Sequence, residues 1–440
     1  MTKSLFSAFE KVSSKAWKQK IQVDLKGADY NDTLIWKTTE GIDVRPFYHQ
    51  DEMLDTLKLQ PQQWSVGQII FVQNEKASNS KAIDAIERGA ETIKFIIPNK
   101  ETSALKTLEN IDLNATKIQL ELLFSDSEYI SNLNTIASNI QVIVDPVGHL
   151  AATGNWFETT NNALVLSNQI TVNTTTYQNA GASIIQQLAY GLAHLNEYFN
   201  DKTYNSTELK KVYFNTAIGT NYFFEIAKLR ALRSLYNTLA AEYNCQAQLI
   251  INAIPTKRNK TIYDYNTNML RTTTECMSAI LGGANTVFNL PYDAIYHKDN
   301  EFGERIARNQ LLILKNESYF DAVNNASDGS YYIETLTTQL AEKALTLFKD
   351  IEANGGFIAQ LKEGIIQKKI KESATKEQDL FDNGKITLLG TNKHPNKDDK
   401  MKDELELFPF LKTNPRKTLI IPIIEKRLAE TLEQNRLKTE

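Results

Sequence analysis

The chain has 440 residues, 42% of them hydrophobic and 23% charged, with a formal net charge of −4. That balance suits one large globular domain with extensions, or two domains, and gives no basic stripe for nucleic acid. The apolar runs, such as 419–424, are far too short to span a bilayer, and two cysteines, Cys245 and Cys276, make neither a disulfide framework nor a zinc site. Residues 1–20 lack an apolar core and a small-residue cleavage site, so a cytoplasmic protein with two buried free thiols is the expectation.

Residues 1–60 scatter large anchors (Trp17, Tyr30, Trp36, Phe47, Tyr48) among turn residues such as 27–29 and 31–32, with no sustained period. Such a segment is either an arm lying along another surface or an extension folded onto its own domain. From Trp64 onward the chain becomes regular. Strand-like runs occur at 68–73, 92–98, 118–124, 140–145, 163–171, 211–219, 247–255 and 285–291, most with consecutive apolar residues, as in strands covered on both faces. Helical patterns lie between most of them, at 76–88, 103–111, 127–138, 178–199, 221–243 and 268–281. Eight strands alternating with helices over about 250 residues predict an α/β fold of the (β/α)8 TIM-barrel type. One unit breaks the pattern: 146–162 reads as irregular rather than helical.

Farther on, Met269, Thr273, Met277 and Ile280 form an apolar stripe that ends at Gly282 and Gly283. Leu336, Leu340, Ala344, Leu347 and Ile351 form another, stopped by Asn354, Gly355 and Gly356, since glycine accepts the left-handed conformation a helix end requires. After Phe357 the chain is polar and Lys-rich to about 400, with a strand-like insert at 384–390. A mixed-charge helix is expected from about Ile424 to the end, its charges solvated. The expected organisation is an extension over 1–60, a barrel over 61–357 and a helical or mixed extension over 358–440.

Short chemical motifs are missing. There is no glycine-rich phosphate loop, HExxH, CxxC or GxSxG, and none of the five histidines stands at metal-ligand spacing from another histidine or a cysteine. His149 follows a strand-like run at Asp145-Pro146-Val147-Gly148-His149, where a barrel carries its functional loops. Asp145 and His149 are therefore either a catalytic pair or a loop histidine satisfied by its neighbours. Arg271, opening a helix, either binds an anion or pairs with an acid on a neighbouring element. Arg305 and Arg308, one turn apart beside Glu301 and Glu304, read as a salt-bridged face. The residues alone thus supply a barrel without a constellation for proton transfer, nucleophilic attack or metal binding.

Longer segments carry a resemblance. LRTTTECMSAILGGANTVF, RIARNQLLILKNESYF, GSYYIETLTTQLAEKA, FFEIAKLRALRSLY at 223–236 and YQNAGAS at 177–183 occur in one order, within a match from about Trp64 to Leu428. They resemble the adenosylcobalamin-dependent methylmalonyl-CoA mutase family. That resemblance implies a substrate-threading TIM barrel followed by a cobalamin-binding domain, and radical interconversion of methylmalonyl-CoA and succinyl-CoA. Departures from the family pattern are equally specific. The family's cobalt-ligating DxHxxG has no counterpart, since no Asp-x-His occurs, and Glu440 stands where the linker to that domain would begin. Thr175 and Thr176 stand for the active-site Tyr-His pair, and threonine cannot replace an imidazole that hydrogen-bonds a carbonyl. Leu290 and Ala294 stand for the Asn and Glu that hold the adenosyl group. DPWGGSYY becomes 325–332, NASDGSYY, and 146–162 takes the place of the loop that carries the substrate-carboxylate arginine.

Packing segments persist while chemical residues are replaced, a pattern similar to the small (beta) subunit of the heterodimeric enzymes of this family. The resemblance thus implies a barrel without the cobalamin-binding domain and with no catalytic, cofactor-binding or metal-ligating residue of its own. The implied partner is a large (alpha) subunit that holds adenosylcobalamin and the acyl-CoA site, in propionate-type metabolism. The arm, with Trp17 and Trp36, would wrap that partner. Two alternatives remain: an active mutase half whose cobalamin domain is a separate chain, and a vestigial barrel that binds an acyl-CoA or regulates a catalytic subunit.

Overall fold

A computed structural model describes residues 5–53, 63–136, 140–158, 169–201, 209–412 and 415–440. The arm carries a two-stranded antiparallel hairpin, β1 (Trp36–Lys37) and β2 (Asp43–Val44). Eight parallel strands follow: β3 (Ser65–Phe71), β4 (Thr92–Ile97), β5 (Lys117–Leu122), β6 (Gln141–Ile143), β7 (Gln169–Asn173), β8 (Lys211–Ile218), β9 (Gln248–Pro255) and β10 (Thr286–Phe288). Their order is β6-β5-β4-β3-β10-β9-β8-β7, so β3 pairs with β10 and the last two neighbours to be joined are β6 and β7. This is the predicted TIM barrel. All eight predicted strands lie within a few residues of their expected bounds, although 163–168 falls outside the described residues.

Side-chain alternation explains why these segments form strands. On β4, Ile93, Phe95 and Ile97 join a core between sheet and helices, as Ile118, Leu120 and Leu122 do on β5. Thr92, Lys94 and Ile96, and Lys117, Gln119 and Glu121, therefore face the bore. On β8 and β9 the outward set is Val212, Phe214, Leu249, Ile251 and Ala253, which leaves Tyr213, Asn215 and Asn252 inside. The stripe Leu336, Leu340, Ala344 and Ile351 is buried on the Tyr331–Ala353 helix, with Leu347 half-buried beside it, as its period requires.

Five expectations need correction. The stretch from 146 is not irregular at its start but a helix, Pro146–Thr153. Asp145 caps it on Gly148 N, Pro146 sits at the first turn where no N–H is needed, and Gly154 ends it at φ +83°. The helix expected over 178–199 is split into Thr175–Asn179 and Ile184–Phe199 at Gly181 (φ +99°), and Ser183 and Gln186 form a capping box at the second start. Residues 424–427 are not helical, 428–429 form a turn, and the terminal helix is only Glu430–Leu437. The insert at 384–390 yields just an isolated bridge, Leu389 to Lys393. On the Thr267–Leu281 helix, Met269, Thr273 and Met277 are half-buried, while Asn268, Thr272, Glu275 and Cys276 face inward. Polar residues win that face because Lys260, 2% exposed in its side chain, requires Glu275 as its counter-ion at 2.8 Å.

The chain outside the barrel packs on it. Ile42 of the arm and Ile366, Ile370, Ile420 and Ile423 of the extension belong to the same core cluster as β7–β10. Glu40 accepts from Ile184 N (2.9 Å) and Ile185 N (3.0 Å), capping the N-terminus of the Ile184–Phe199 helix from outside the barrel. Residues 405–412 and 415–428 run as a strap across the C-terminal ends of the strands. Leu407 N bonds Tyr296 O at 2.9 Å, Ile423 N bonds Ala151 O at 2.8 Å, Lys426 N bonds Asn179 O at 3.1 Å and Leu428 N bonds Arg258 O at 2.9 Å.

Candidate functional site at the C-terminal mouth of the barrel

A TIM barrel places its chemistry on the loops at the C-terminal strand ends. Below that mouth side chains cross the bore. Gln119 on β5 and Asn252 on β9 stand four strands apart, on opposite walls. Their amides meet across the axis, Gln119 Nε2 to Asn252 Oδ1 at 3.2 Å and Asn252 Nδ2 to Gln119 Oε1 at 3.3 Å. Asn252 Nδ2 also reaches Asn215 Oδ1 at 2.9 Å. The Phe288 ring fills the space beside Gly67, where an added Cβ would lie 2.4 Å from it. Lys94 Nζ lies 5.0 Å from the centroid of that ring and 3.4 Å from Glu121. Tyr213 occupies the next inward position, its hydroxyl pushed up to about 12 by burial.

Asp145 and His149 do not pair. Asp145 Oδ1 accepts from His194 Nε2 (2.9 Å), the Tyr198 hydroxyl (2.5 Å) and Gly148 N (2.7 Å), and its Oδ2 accepts from Asn173 N (2.7 Å). Tyr177 OH lies 2.9 Å from His194 Nδ1. Burial alone would raise the Asp145 carboxyl, but the His194 charge and these donors more than offset it and hold it below its usual range. His194 is completely buried. The group has the composition of an acid–imidazole–hydroxyl relay but is almost wholly buried, with only the Asp145 side chain 9% exposed. The sequence carried a partial signal for it, since His194 and Tyr198 are four residues apart on one helix face.

His149 instead stacks on Phe157, centroids 3.9 Å apart. Burial lowers its pKa, against the opposing pull of Asp145, so the neutral ring is favoured. It lines a cavity of about 690 Å³ with Lys100, Asp126, Trp156 and Arg416, over the ends of β4 and β5. Arg416, from the strap, donates to Thr153 O at 2.6 Å.

The positions of the chemical substitutions are all at the mouth. Thr175 Oγ1 donates to Asn173 Oδ1 at 2.6 Å. Thr176 opens on a cavity of about 380 Å³, and Ala294 on another of about 380 Å³. Strap residues Lys412, Ile424 and Glu425 line both, so the strap lies between those two positions. Leu290 is buried, and Asn289 turns away from the bore to Ala307 O and Gln310 Oε1, both at 2.9 Å.

The arginines behave differently from expectation. Arg271 meets neutral oxygens, not an acid: Thr261 Oγ1 (2.9 Å), Asn268 Oδ1 (2.7 Å) and Leu389 O (2.6 Å). Arg308 is buried against Gln68 Oε1 at 3.3 Å, Arg305 covers the Phe302 ring, and Glu304 takes Lys81 at 3.2 Å. Helix-face spacing brought these charges near one another, but neighbouring elements supplied other partners. Both cysteines are buried and free, as expected, and burial raises the Cys276 thiol. No helix among the described residues is long and apolar enough to cross a membrane. Among the described residues, no three acidic, histidine or cysteine side chains are grouped to hold a metal ion.

Comparison with known proteins agrees with the order of the packing segments. The profile of the methylmalonyl-CoA mutase family matches residues 131–419. The chain is 34% identical to the methylmalonyl-CoA mutase small subunit of Porphyromonas gingivalis, over 89% of this chain and 71% of that one. It is 32% identical to the small subunit from Streptomyces virginiae, over 57% of this chain and 43% of that one. Against the methylmalonyl-CoA mutase of Cereibacter sphaeroides identity is 27%, covering 86% of this chain and 64% of the relative's length. An eight-stranded parallel barrel, long segments in family order and this breadth of identity have one common explanation: the chain belongs to the methylmalonyl-CoA mutase family.

Proposed function

We propose that this chain is the small, non-catalytic subunit of an adenosylcobalamin-dependent methylmalonyl-CoA mutase, paired with a large subunit that carries the cofactor and the acyl-CoA site. The observation that carries the reading is the Gln119–Asn252 amide pair across the bore. With Phe288, Lys94 and Tyr213 in the same interior, it crosses the axis along which an extended pantetheine chain would have to thread. The donor set at the mouth does not fit the cofactor either. Leu290 and Ala294 offer no hydrogen bond to an adenosyl group, Thr176 offers no imidazole, and no Asp-x-His occurs to ligate cobalt. No step of the radical reaction is therefore assigned to these residues.

The arm supports the pairing. Leu5 (94% exposed), Phe6, Phe9, Val12 and Val23 lie open on it, whereas Ile42 is 2% exposed in the barrel's own core. Its two halves thus answer the two sequence readings separately: 36–48 is folded onto its own barrel, and 5–24 offers apolar side chains to a large subunit. In cells this heterodimer would act in the cytoplasm, in propionate-type metabolism. The test is turnover of methylmalonyl-CoA with added adenosylcobalamin. The isolated chain is expected to give none and bind no cobalamin, and activity is expected when the large subunit is added. Turnover by the isolated chain overturns the reading and favours an active half served by a separate cobalamin chain.

One observation favours a second reading, acyl-CoA binding for regulation. The cavity of about 690 Å³ beside His149 is of ligand size and carries aromatic walls and two cations, Lys100 and Arg416, beside three carboxylates, Glu101, Asp126 and Glu158. Titration calorimetry with CoA esters separates the two: binding that is lost in Arg416→Ala supports regulation, and absence of heat supports the purely structural role.

A further inference from the structure

β6 is only three residues long, and among the described residues it has a backbone ladder with β5 but none with β7. A barrel interrupted at one seam has two strand edges whose N–H and C=O groups need other partners. The backbone groups at the end of that seam are met by side chains. Asp145, directly after β6, accepts from Asn173 N at the end of β7 (2.7 Å), so one carboxylate oxygen stands where a ladder carbonyl would. Its other oxygen takes Gly148 N of its own helix and both His194 Nε2 and Tyr198 OH of the Ile184–Phe199 helix, which follows β7. Tyr198 OH in turn accepts from Val147 N at 3.2 Å. At the other end of the seam Gln169 Nε2 reaches Ile140 O at 3.5 Å.

We propose that Asp145 and His194 form a pH-responsive clasp that closes the barrel at the β6–β7 seam. The clasp is built rather than incidental. An added Cβ on Gly148 would lie 2.3 Å from Asp145 Oδ2, so the glycine leaves the space into which the carboxylate folds back. Phe357 stacks on His194, centroids 5.7 Å apart and planes 6° from parallel, which fixes the ring with Nε2 towards Asp145 and Nδ1 towards Tyr177. The titratable groups facing Asp145 are His194 and Tyr198 on one helix, Tyr177 on the Thr175–Asn179 helix and His149 on its own. Arg416 of the strap lies beyond His149. Two of these groups, His194 and Tyr198, donate to the ionised carboxylate together with Gly148 N and Asn173 N, so protonating Asp145 weakens the acceptor on which all four bonds converge.

The sign follows from the depressed Asp145 carboxyl. Its contribution is complete above the ordinary carboxylate pKa of about 4 and is lost as pH falls from there towards the lower folded value. The clasp is therefore closed at neutral pH and released by acid.

Hydrogen–deuterium exchange on the full chain at neutral pH tests the location. In Asp145→Asn, peptides covering 141–148 and 169–174 are expected to exchange at least about tenfold faster, the scale of one lost charge-assisted bond, while 211–218 and 248–255 stay as in the parent. Tyr198→Phe, which removes one donor and leaves the carboxylate, is expected to raise exchange in the same two peptides by less, and serves alone if Asp145→Asn does not fold. A uniform rise over all strands, or none at the seam, overturns the proposal. Thermal unfolding between about pH 6 and 3 tests the switch. The parent is expected to lose Tm as pH falls below about 4, and Tyr198→Phe, whose carboxyl is less depressed, to start from a lower Tm and lose less over the same range. Superimposable pH profiles overturn the clasp.

Discussion

Gln119, Asn252, Lys260 and Glu275 show how polar residues hold the interior of this barrel. A buried amide or charge is tolerated only when its partner is present, because an unpaired group retains its full desolvation cost. Lys260 and Glu275 are nearly inaccessible and 2.8 Å apart, and burial pulls the lysine down and pushes the carboxyl up. Glu275→Gln, which leaves the ammonium uncompensated, is expected to cost about 3–5 kcal/mol in chemical denaturation. The paired replacement Lys260→Met with Glu275→Leu is expected to recover most of that loss, and equal losses in the single and paired variants would contradict it. Gly67 presents the opposite constraint. Gly67→Ala places a methyl group against the Phe288 ring and is expected to destabilise the chain by about 1–3 kcal/mol through overpacking, read in the same denaturation experiment.

At the level of elements, the short Pro146–Thr153 helix and the arm hairpin have the largest consequences. The helix carries Asp145 at its cap and His149 one turn on, and so directs one inward to the seam and the other outward to a cavity. The hairpin delivers Glu40 to the start of the Ile184–Phe199 helix, where two backbone N–H groups and the helix dipole receive it. Glu40→Ala is expected to cost about 1 kcal/mol, the usual worth of a cap. Limited proteolysis is expected to cut sooner between residues 24 and 36 in that variant, because β1 and β2 lose their anchor. An unchanged digestion pattern would show that Ile42 and Trp36 hold the arm without the carboxylate.

Across the whole molecule, the strap lies over part of the barrel mouth and the arm hairpin packs at the start of the Ile184–Phe199 helix. The strap covers the mouth between Thr176 and Ala294, and the interior side chains close the axis. Exposed apolar residues lie on several surfaces, on residues 5–23 and on the strap itself (Phe408, Leu419, Ile421) among others. On the proposed reading, removing residues 1–12 is expected to leave the melting temperature of the isolated chain within about 2 °C, since the side chains of 5–12 are exposed. The same truncation is expected to weaken association with the large subunit at least tenfold, or about 1.4 kcal/mol, in a binding titration. Unchanged affinity would place the interface on another surface.

The barrel was legible in the linear pattern because each strand and helix announces itself over a few residues: apolar runs for β3 to β10, a 3.6-residue period for Tyr331–Ala353. The loss of chemical side chains at Thr176, Leu290 and Ala294 was legible too, since residue type is local information. Partner choice was not. Asp145 stood four residues from His149 yet bonds His194, 49 residues away, because the burial that makes a hydrogen bond strong comes from elements brought together by the fold. The same holds for Gln119 and Asn252, 133 residues apart, whose meeting closes the bore. Sequence by itself determined the barrel's alternation of strands and helices and which residue types stand at its mouth. Only the tertiary structure decided which polar groups face each other, because a charge or an amide takes its partner from whatever the packed chain places within 3 Å.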